Sequence, residues 1–282
     1  MTIDRFWKRM RPHFIIIGGV KCASTSMFRY LIDHPNILPG AYKEPMFFNH
    51  LGLIRATLTF PRYLRNFPMK ENRQSVTLNW AKLSPEGKVI DTVIEQDVKD
   101  GIQHVTGEAS ATYNHAADPK VVKALLPKVK IIFLVRNPTE RFISHYNMFQ
   151  RFHREGRPGY DIGELSAFVE QEIDNYHSNE PIRLLHQGLY HELATKWTRH
   201  FGEGQFLIIH KDQLDAPENA HKLLQEVTSF LGLPAHDYAN ILTQKYNVAP
   251  QKETNDRSKD LLDEFYAPAN KLFTRDFGIS LA

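Results

Sequence analysis

The chain has one cysteine, Cys22, in 282 residues, so it can form neither an intramolecular disulfide nor a cysteine-rich zinc site. Long apolar runs are missing too. The longest, over 14–20, is far too short to cross a bilayer, and nothing ahead of it has the apolar core of a signal peptide. These absences predict a cytoplasmic protein with no metal and no membrane partner. Charge of one sign is also scarce: 35 Lys and Arg against 32 Asp and Glu leave a formal net charge of +3. That excess is too small and too evenly spread to argue for nucleic acid, although it suits a small anionic ligand. One local excess stands out, Arg5, Lys8, Arg9 and Arg11 interleaved with Phe6, Trp7 and Met10. It reads as a solvated N-terminal turn packing Trp7 onto the domain, or as a segment lying on a membrane surface or serving as a targeting leader.

What is present is apolar content of 42%, enough for one large core. Short apolar or β-branched runs bounded by turn residues or helix starts predict strands over 14–18, 104–107, 130–135 and 205–209. Helical patterns lie between and after them, over 24–34, 120–126, 138–152, 189–201 and 219–231, and a terminal helix spans 258–273. The alternation predicts a single α/β domain over 13–282, with a central parallel sheet flanked by helices, behind a short basic segment over 1–12. The stretches 49–100 and 154–186 do not fit that alternation. Long stretches of this kind are usually binding loops or lids, and they are assigned to the acceptor side.

The run Ile15-Ile16-Ile17-Gly18-Gly19-Val20-Lys21-Cys22-Ala23-Ser24-Thr25-Ser26 passes from a strand through glycine into small hydroxyl residues and opens a helix. It aims backbone N–H groups and a positive helix end at one point, which suits a phosphate, with Lys21 as a mobile cation. An ATPase loop requires Gly-Lys-Ser/Thr after four residues, but Ala23 and Ser24 stand where Gly-Lys should be. Taken alone, the run is equally an ordinary helix start.

A second anion site follows another strand, in Arg136-Asn137-Pro138-Thr139-Glu140-Arg141. Asn137 can cap the next helix and Pro138 suits its first position, so Arg136 lies beside a helix N-terminus. Arg141, Ser144 or His145, and Met148 share a helical face open to binding; Phe142, Tyr146 and Phe149 share one that packs. The competing reading is a structural ion pair at Arg136. Two such loops at the carboxyl ends of parallel strands favour a ligand carrying two separate phosphates.

At these residues the sequence resembles the sulfotransferases that use 3′-phosphoadenosine 5′-phosphosulfate (PAPS), in their carbohydrate and heparan-sulfate form. Residues Ile16 to Ser26 resemble that family's 5′-phosphosulfate loop, and Arg136-Asn137-Pro138 with Arg141 and Ser144 resembles its 3′-phosphate motif. Lys43-Glu44-Pro45-Met46-Phe47-Phe48, Gly107-Glu108-Ala109-Ser110, Gly188-Leu189-Tyr190 with Trp197, and Phe230-Leu231-Gly232-Leu233 follow in family order. Three departures are Ala23, where the loop usually has glycine, Ala109, where the heparan-sulfate enzymes commonly carry lysine, and His210-Lys211-Asp212, which lacks the acidic residue common near that position.

The resemblance implies a P-loop-kinase-like sulfotransferase fold and a PAPS donor that leaves as adenosine 3′,5′-bisphosphate (PAP). It implies donor contacts from Lys21, Cys22, Ala23, Ser24, Thr25 and Ser26 at one end and from Arg136, Ser144 and Lys252 at the other. Lys21 is the group placed to neutralise the leaving phosphate, and the resemblance puts the base at Glu44. From the residues alone, Glu44 reads first as a surface carboxylate paired with Lys43. The rings of Phe47 and Phe48 favour a raised carboxyl there, and Glu108 is the rival base. Tyr190 and Trp197 read as core before acceptor stacking, and His191-Glu192 fails as a zinc motif because Thr195 holds the second histidine position. The acceptor is expected to be a small natural product, even a cationic one if acidic residues line the two long stretches, or a soluble carbohydrate. Two alternatives remain: an inactive module that binds adenosine bisphosphates, and a kinase of the same fold.

Overall fold

The computed structural model describes residues 8–70, 75–83, 89–243 and 256–281. In chain order its elements are β1 (Phe14–Gly18), α1 (Ser24–Leu31), β2 (Ile37–Pro39), α2 (Leu53–Leu64), β3 (Val76–Leu83), β4 (Val89–Gln96) and β5 (Val105–Glu108). Then come α3 (Pro119–Leu125), β6 (Lys130–Val135), α4 (Pro138–Arg154), α5 (Leu165–His177), α6 (Tyr190–Thr198), β7 (Phe206–His210), α7 (Pro217–Leu231) and α8 (Asp256–Phe277).

Five strands form one parallel sheet in the order β2-β5-β1-β6-β7. β1 and β6 are continuous runs of Ile, Phe, Leu and Val buried along nearly their whole length, as a strand covered on both faces must be. They are direct neighbours, with Ile15 opposite Ile131 and Ile16 opposite Ile132. The two loops singled out as anion sites therefore leave the same edge of the sheet side by side, and Gly19 N–H donates to Leu134 O across 2.5 Å to tie them. Open α/β sheets bind ligands at such a carboxyl edge.

Local signals set the helix starts. Asn137 caps α4 by accepting from Glu140 N–H at 3.0 Å, with Pro138 in the first position, and Asp118 accepts from Lys120 N–H at the start of α3. α7 ends where Gly232 turns left-handed at φ 73°. The main core surrounds the sheet. A second cluster joins α4, α5 and α8 through Phe142, Tyr146, Phe168, Val169, Leu262 and Tyr266.

The stretches assigned to loops are largely ordered elements. Residues 49–100 hold α2 and the antiparallel β3–β4 hairpin, in register from Val76 opposite Gln96 to Leu83 opposite Val89. α2 escapes a periodicity reading because it carries apolar residues on both faces: Ala56, Phe60, Tyr63 and Leu64 are buried, whereas Leu53, Ile54 and Leu58 face solvent. Residues 154–186 hold α5, and the carboxylate of its buried Glu172 accepts the N–H groups of Arg183, Leu184 and Leu185 at 2.6–2.8 Å. The three-residue edge strand β2, ending in proline, was too short to read. Trp7 and Lys252 lie outside the described residues. Tyr190 and Trp197 are core residues, 1% and 0% exposed.

Candidate active site

The turn between β1 and α1 is built from two left-handed residues, Lys21 at φ 67° and Ala23 at φ 64°, closed by Cys22 N–H donating to Gly19 O at 3.1 Å. Cys22 turns its side chain inward, buried against Tyr190, with Sγ 3.4 Å from the Tyr190 hydroxyl. Ala23 occupies the cap position of α1 without a side-chain cap, and the first turn carries no acid. The opening N–H groups of α1 lack intrahelical partners by geometry. With Ser24, Thr25 and Ser26 they form a donor-rich, positive end.

Beside this turn the charges are cationic. Burial lowers Lys21 to about 8, and the neighbouring Arg151 and Arg136 push it the same way. Arg136 is ion-paired to Glu140, Nη2 to Oε2 at 2.8 Å, the structural pairing weighed for it. Glu140 is the more exposed partner, which leaves the pair weak. Arg151 lies 3.6 Å from Glu155. Nothing local singles out Arg151, because it stands in the last turns of a 17-residue helix and approaches Lys21 only in three dimensions.

The helical face expected to be open for binding is partly closed. Ser144 is partly exposed, but Arg141 is wholly buried and His145 is 5% exposed. Arg141 donates to Leu184 O at 2.8 Å and lies 3.4 Å from His145 Nδ1. Burial and then the Arg141 charge lower His145 to about 2. Burial and then His186 lower His115 to about 3, with the His115 and His186 rings 5.1 Å apart. Burial thus favours the neutral form of these imidazoles.

The Glu44 segment meets the first loop through Lys43, whose Nζ donates to Thr25 Oγ1 at 3.1 Å and to Glu44 Oε1. The pairing of Glu44 with Lys43 is thus present, and it also joins Glu44 to the phosphosulfate-like loop. Phe47 packs on Tyr63, and Phe48 packs on Tyr63 and Tyr113. Tyr63 and Tyr113 in turn reach Glu108, which is 0% exposed, and burial pushes that carboxyl up to about 7.

Three hydroxyls aim at Glu108 and pull the other way: Tyr63, Ser110 at 2.5 Å and Tyr113 at 3.3 Å. Ser110 in turn accepts Met46 N–H at 3.1 Å, Tyr113 accepts Phe48 N–H at 3.3 Å, and Ala109 N–H donates to Lys43 O at 2.9 Å. Glu108 therefore organises the segment that presents Glu44. Its own oxygens are taken up inside the protein.

Residues 12–266 match the sulfotransferase domain family. Carbohydrate sulfotransferase 15 of Mus musculus is 26% identical, across 94% of this chain and 53% of its own. Heparan sulfate N-deacetylase/N-sulfotransferase 3 of Homo sapiens, a bifunctional protein, is 27% identical across 86% of this chain and 24% of its own. The chain thus spans about half or about a quarter of the curated relatives it matches. Among solved structures, a sulfotransferase from Alicyclobacillus acidocaldarius shares the fold at TM-score 0.61 and 20% identity, covering 94% of this chain and 95% of its own. A mouse sulfotransferase solved in complex with PAP does so at TM-score 0.53 and 15% identity, covering 98% and 88%.

These relatives overturn the expectation of a cytoplasmic enzyme. They are carbohydrate and heparan sulfate sulfotransferases, longer than this chain. That none of the described helices is long and apolar enough to cross a membrane gives no cellular address.

Proposed function

The chain belongs to the sulfotransferase family, and from that premise we propose that it moves the sulfuryl group of PAPS onto a hydroxyl or amine of a carbohydrate. The observation that carries this reading is the junction at Lys43, which bonds both Glu44 and Thr25 of the first anion loop, with Arg136 and Arg151 close enough to act on Lys21 of that loop.

The donor set fits a ligand with two anionic ends. The start of α1 offers N–H groups and the hydroxyls of Ser24, Thr25 and Ser26 to the phosphosulfate, while Arg136 and Ser144 on the adjacent loop and helix take the 3′-phosphate. When bound, the donor supplies an activated sulfuryl group. Glu44 takes the proton of the attacking hydroxyl or amine as the new bond to sulfur forms. Lys21 neutralises the 5′-phosphate oxygen as its bond to sulfur breaks.

A carbohydrate acceptor is supported by the names of the curated relatives. Within the two long stretches Glu172 is taken up by three backbone N–H groups and Glu155 is paired with Arg151 and Arg157, so neither of these acids supports a cationic acceptor.

The test is incubation with sulfur-labelled PAPS and a panel of amino sugars, uronic-acid oligosaccharides, phenols and amines. Label transfer to a saccharide with release of PAP, abolished in Lys21→Ala, is the expected result. Transfer only to a phenol or amine would remove the carbohydrate assignment, and wild-type turnover in Lys21→Ala would remove Lys21 from the leaving group.

A further inference from the structure

Ile54 and Leu58 on α2 are 80% and 77% exposed, more than any other large apolar side chain among the described residues. They stand one helical turn apart. At 3.6 residues per turn, Ile54, Leu58, Arg62 and Arg65 fall within an arc of roughly 80°. One exposed stripe of the helix is therefore apolar at its start and cationic at its end, while the opposite face buries Ala56, Phe60, Tyr63 and Leu64 in the core.

The basic N-terminal segment joins this stripe. Met10 N–H donates to Pro68 O, Lys70 N–H donates to Lys8 O and Arg9 bridges Met69, so residues 8–10 run antiparallel to the chain leaving α2. The Arg11 guanidinium sits 5.7 Å from the Phe60 ring centroid. Lys8, Arg11, Arg55, Arg62, Arg65 and Lys70 are all exposed. From Pro45 to Lys70 the sequence has no aspartate or glutamate, and there is none from Arg5 to Ile32.

We infer that this face, α2 with the paired 8–11 segment, docks on an anionic lipid surface. Exposed isoleucine and leucine flanked by arginine, with no acid on the element, is the pattern of a helix lying in the interfacial plane, where apolar side chains enter the acyl boundary and cations meet headgroups. A second copy of the chain does not fit, because the same cations would face each other. A soluble polyanion would meet the arginines but give Ile54 and Leu58 no partner. The inference departs from the expectation that no membrane takes part. Docking of this kind needs no membrane-crossing helix.

The test is co-sedimentation of the full chain with vesicles of phosphatidylcholine alone, or of phosphatidylcholine with phosphatidylserine, at two salt concentrations. Wild type should bind the anionic vesicles, less at higher salt, and leave the neutral ones. The double variants Ile54→Ser with Leu58→Ser, and Arg62→Glu with Arg65→Glu, should each weaken binding about tenfold or more, since losing two buried apolar side chains or reversing two charges exceeds one decade in affinity. PAP affinity, measured by calorimetry in both variants, should stay at the wild-type value and so certify the fold. Three results would each overturn the inference: equal binding to both vesicle types; vesicle binding indifferent to Ile54 and Leu58 and displaced by soluble heparin, which indicates a polyanion groove; or no vesicle binding together with a dimer lost in Ile54→Ser with Leu58→Ser.

Discussion

Glu108 offers a stability test whose sign and size follow from its burial. The carboxyl is held at about 7 in the folded protein against an ordinary value of 4.5, chiefly because it is cut off from water. A raised acid binds its proton more tightly in the native state than in the unfolded chain. Below pH 4.5 both states are protonated and Glu108 costs little. Between 4.5 and 7 the unfolded chain releases the proton while the native state keeps it, so stability falls as pH rises. Above 7 both are ionised and the cost is fully expressed, at about 1.4 kcal/mol per pH unit across the window, or roughly 3 kcal/mol.

The perturbation is Glu108→Gln, which keeps the shape and removes the charge. Its amide loses part of the hydroxyl bonding from Tyr63, Ser110 and Tyr113, a loss of about 1 kcal/mol for each bond not remade. The assay is urea unfolding of both proteins from pH 4.5 to 8. His115 and His145 are also shifted by burial, but they titrate in both proteins and cancel in the difference. The variant should gain on the wild type steadily across the window, by about 3 kcal/mol in total. A difference that is flat, or that runs the other way, would refute the reasoning and make Glu108 a carboxylate stabilised by its three hydroxyls.

Three further predictions follow from the same geometry. Glu44→Gln should keep PAP affinity and lose roughly 10²-fold or more in kcat; an unchanged rate removes Glu44 as the base. Ala23→Gly should raise stability by about 0.5–1 kcal/mol in thermal unfolding, because the left-handed conformation costs alanine roughly 1–2 kcal/mol and glycine's extra chain entropy returns only part of that; a loss of stability contradicts the strain. Lys21, held near 8 by burial and two arginines, should make PAP binding weaken above pH 8 by up to about tenfold per pH unit, and a titration series on Lys21→Ala should lack that slope.

Much of the scaffold was legible because the features that mark it are local. β1 and β6 announce themselves as unbroken apolar runs, and Asn137-Pro138 marks the start of α4 by cap and ring chemistry that works in any context. α2 was missed because its exposed Ile54 and Leu58 blur the periodicity that its buried face would show. The β3–β4 hairpin was missed although Val76 and Leu78 alternate with Thr77 and Asn79, because the stretch was judged by its failure to continue the strand–helix alternation. The surroundings of Glu108 could not be read from sequence, since Ser110 and Tyr113 are near it in the chain but Tyr63 reaches it from α2. The convergence of Arg151 on Lys21 and the bridge from Lys43 to Thr25 are likewise properties of the assembled sheet edge.

The central claim is that two adjacent loops hold the two ends of one adenosine bisphosphate. Calorimetric titration of the purified protein with PAP, with ATP as control and repeated on Arg136→Ala, tests it most directly. The account predicts micromolar PAP binding that exceeds ATP binding and falls at least tenfold in Arg136→Ala, the order expected for one lost charge-assisted contact. Preference for ATP, or PAP binding indifferent to Arg136, would contradict it.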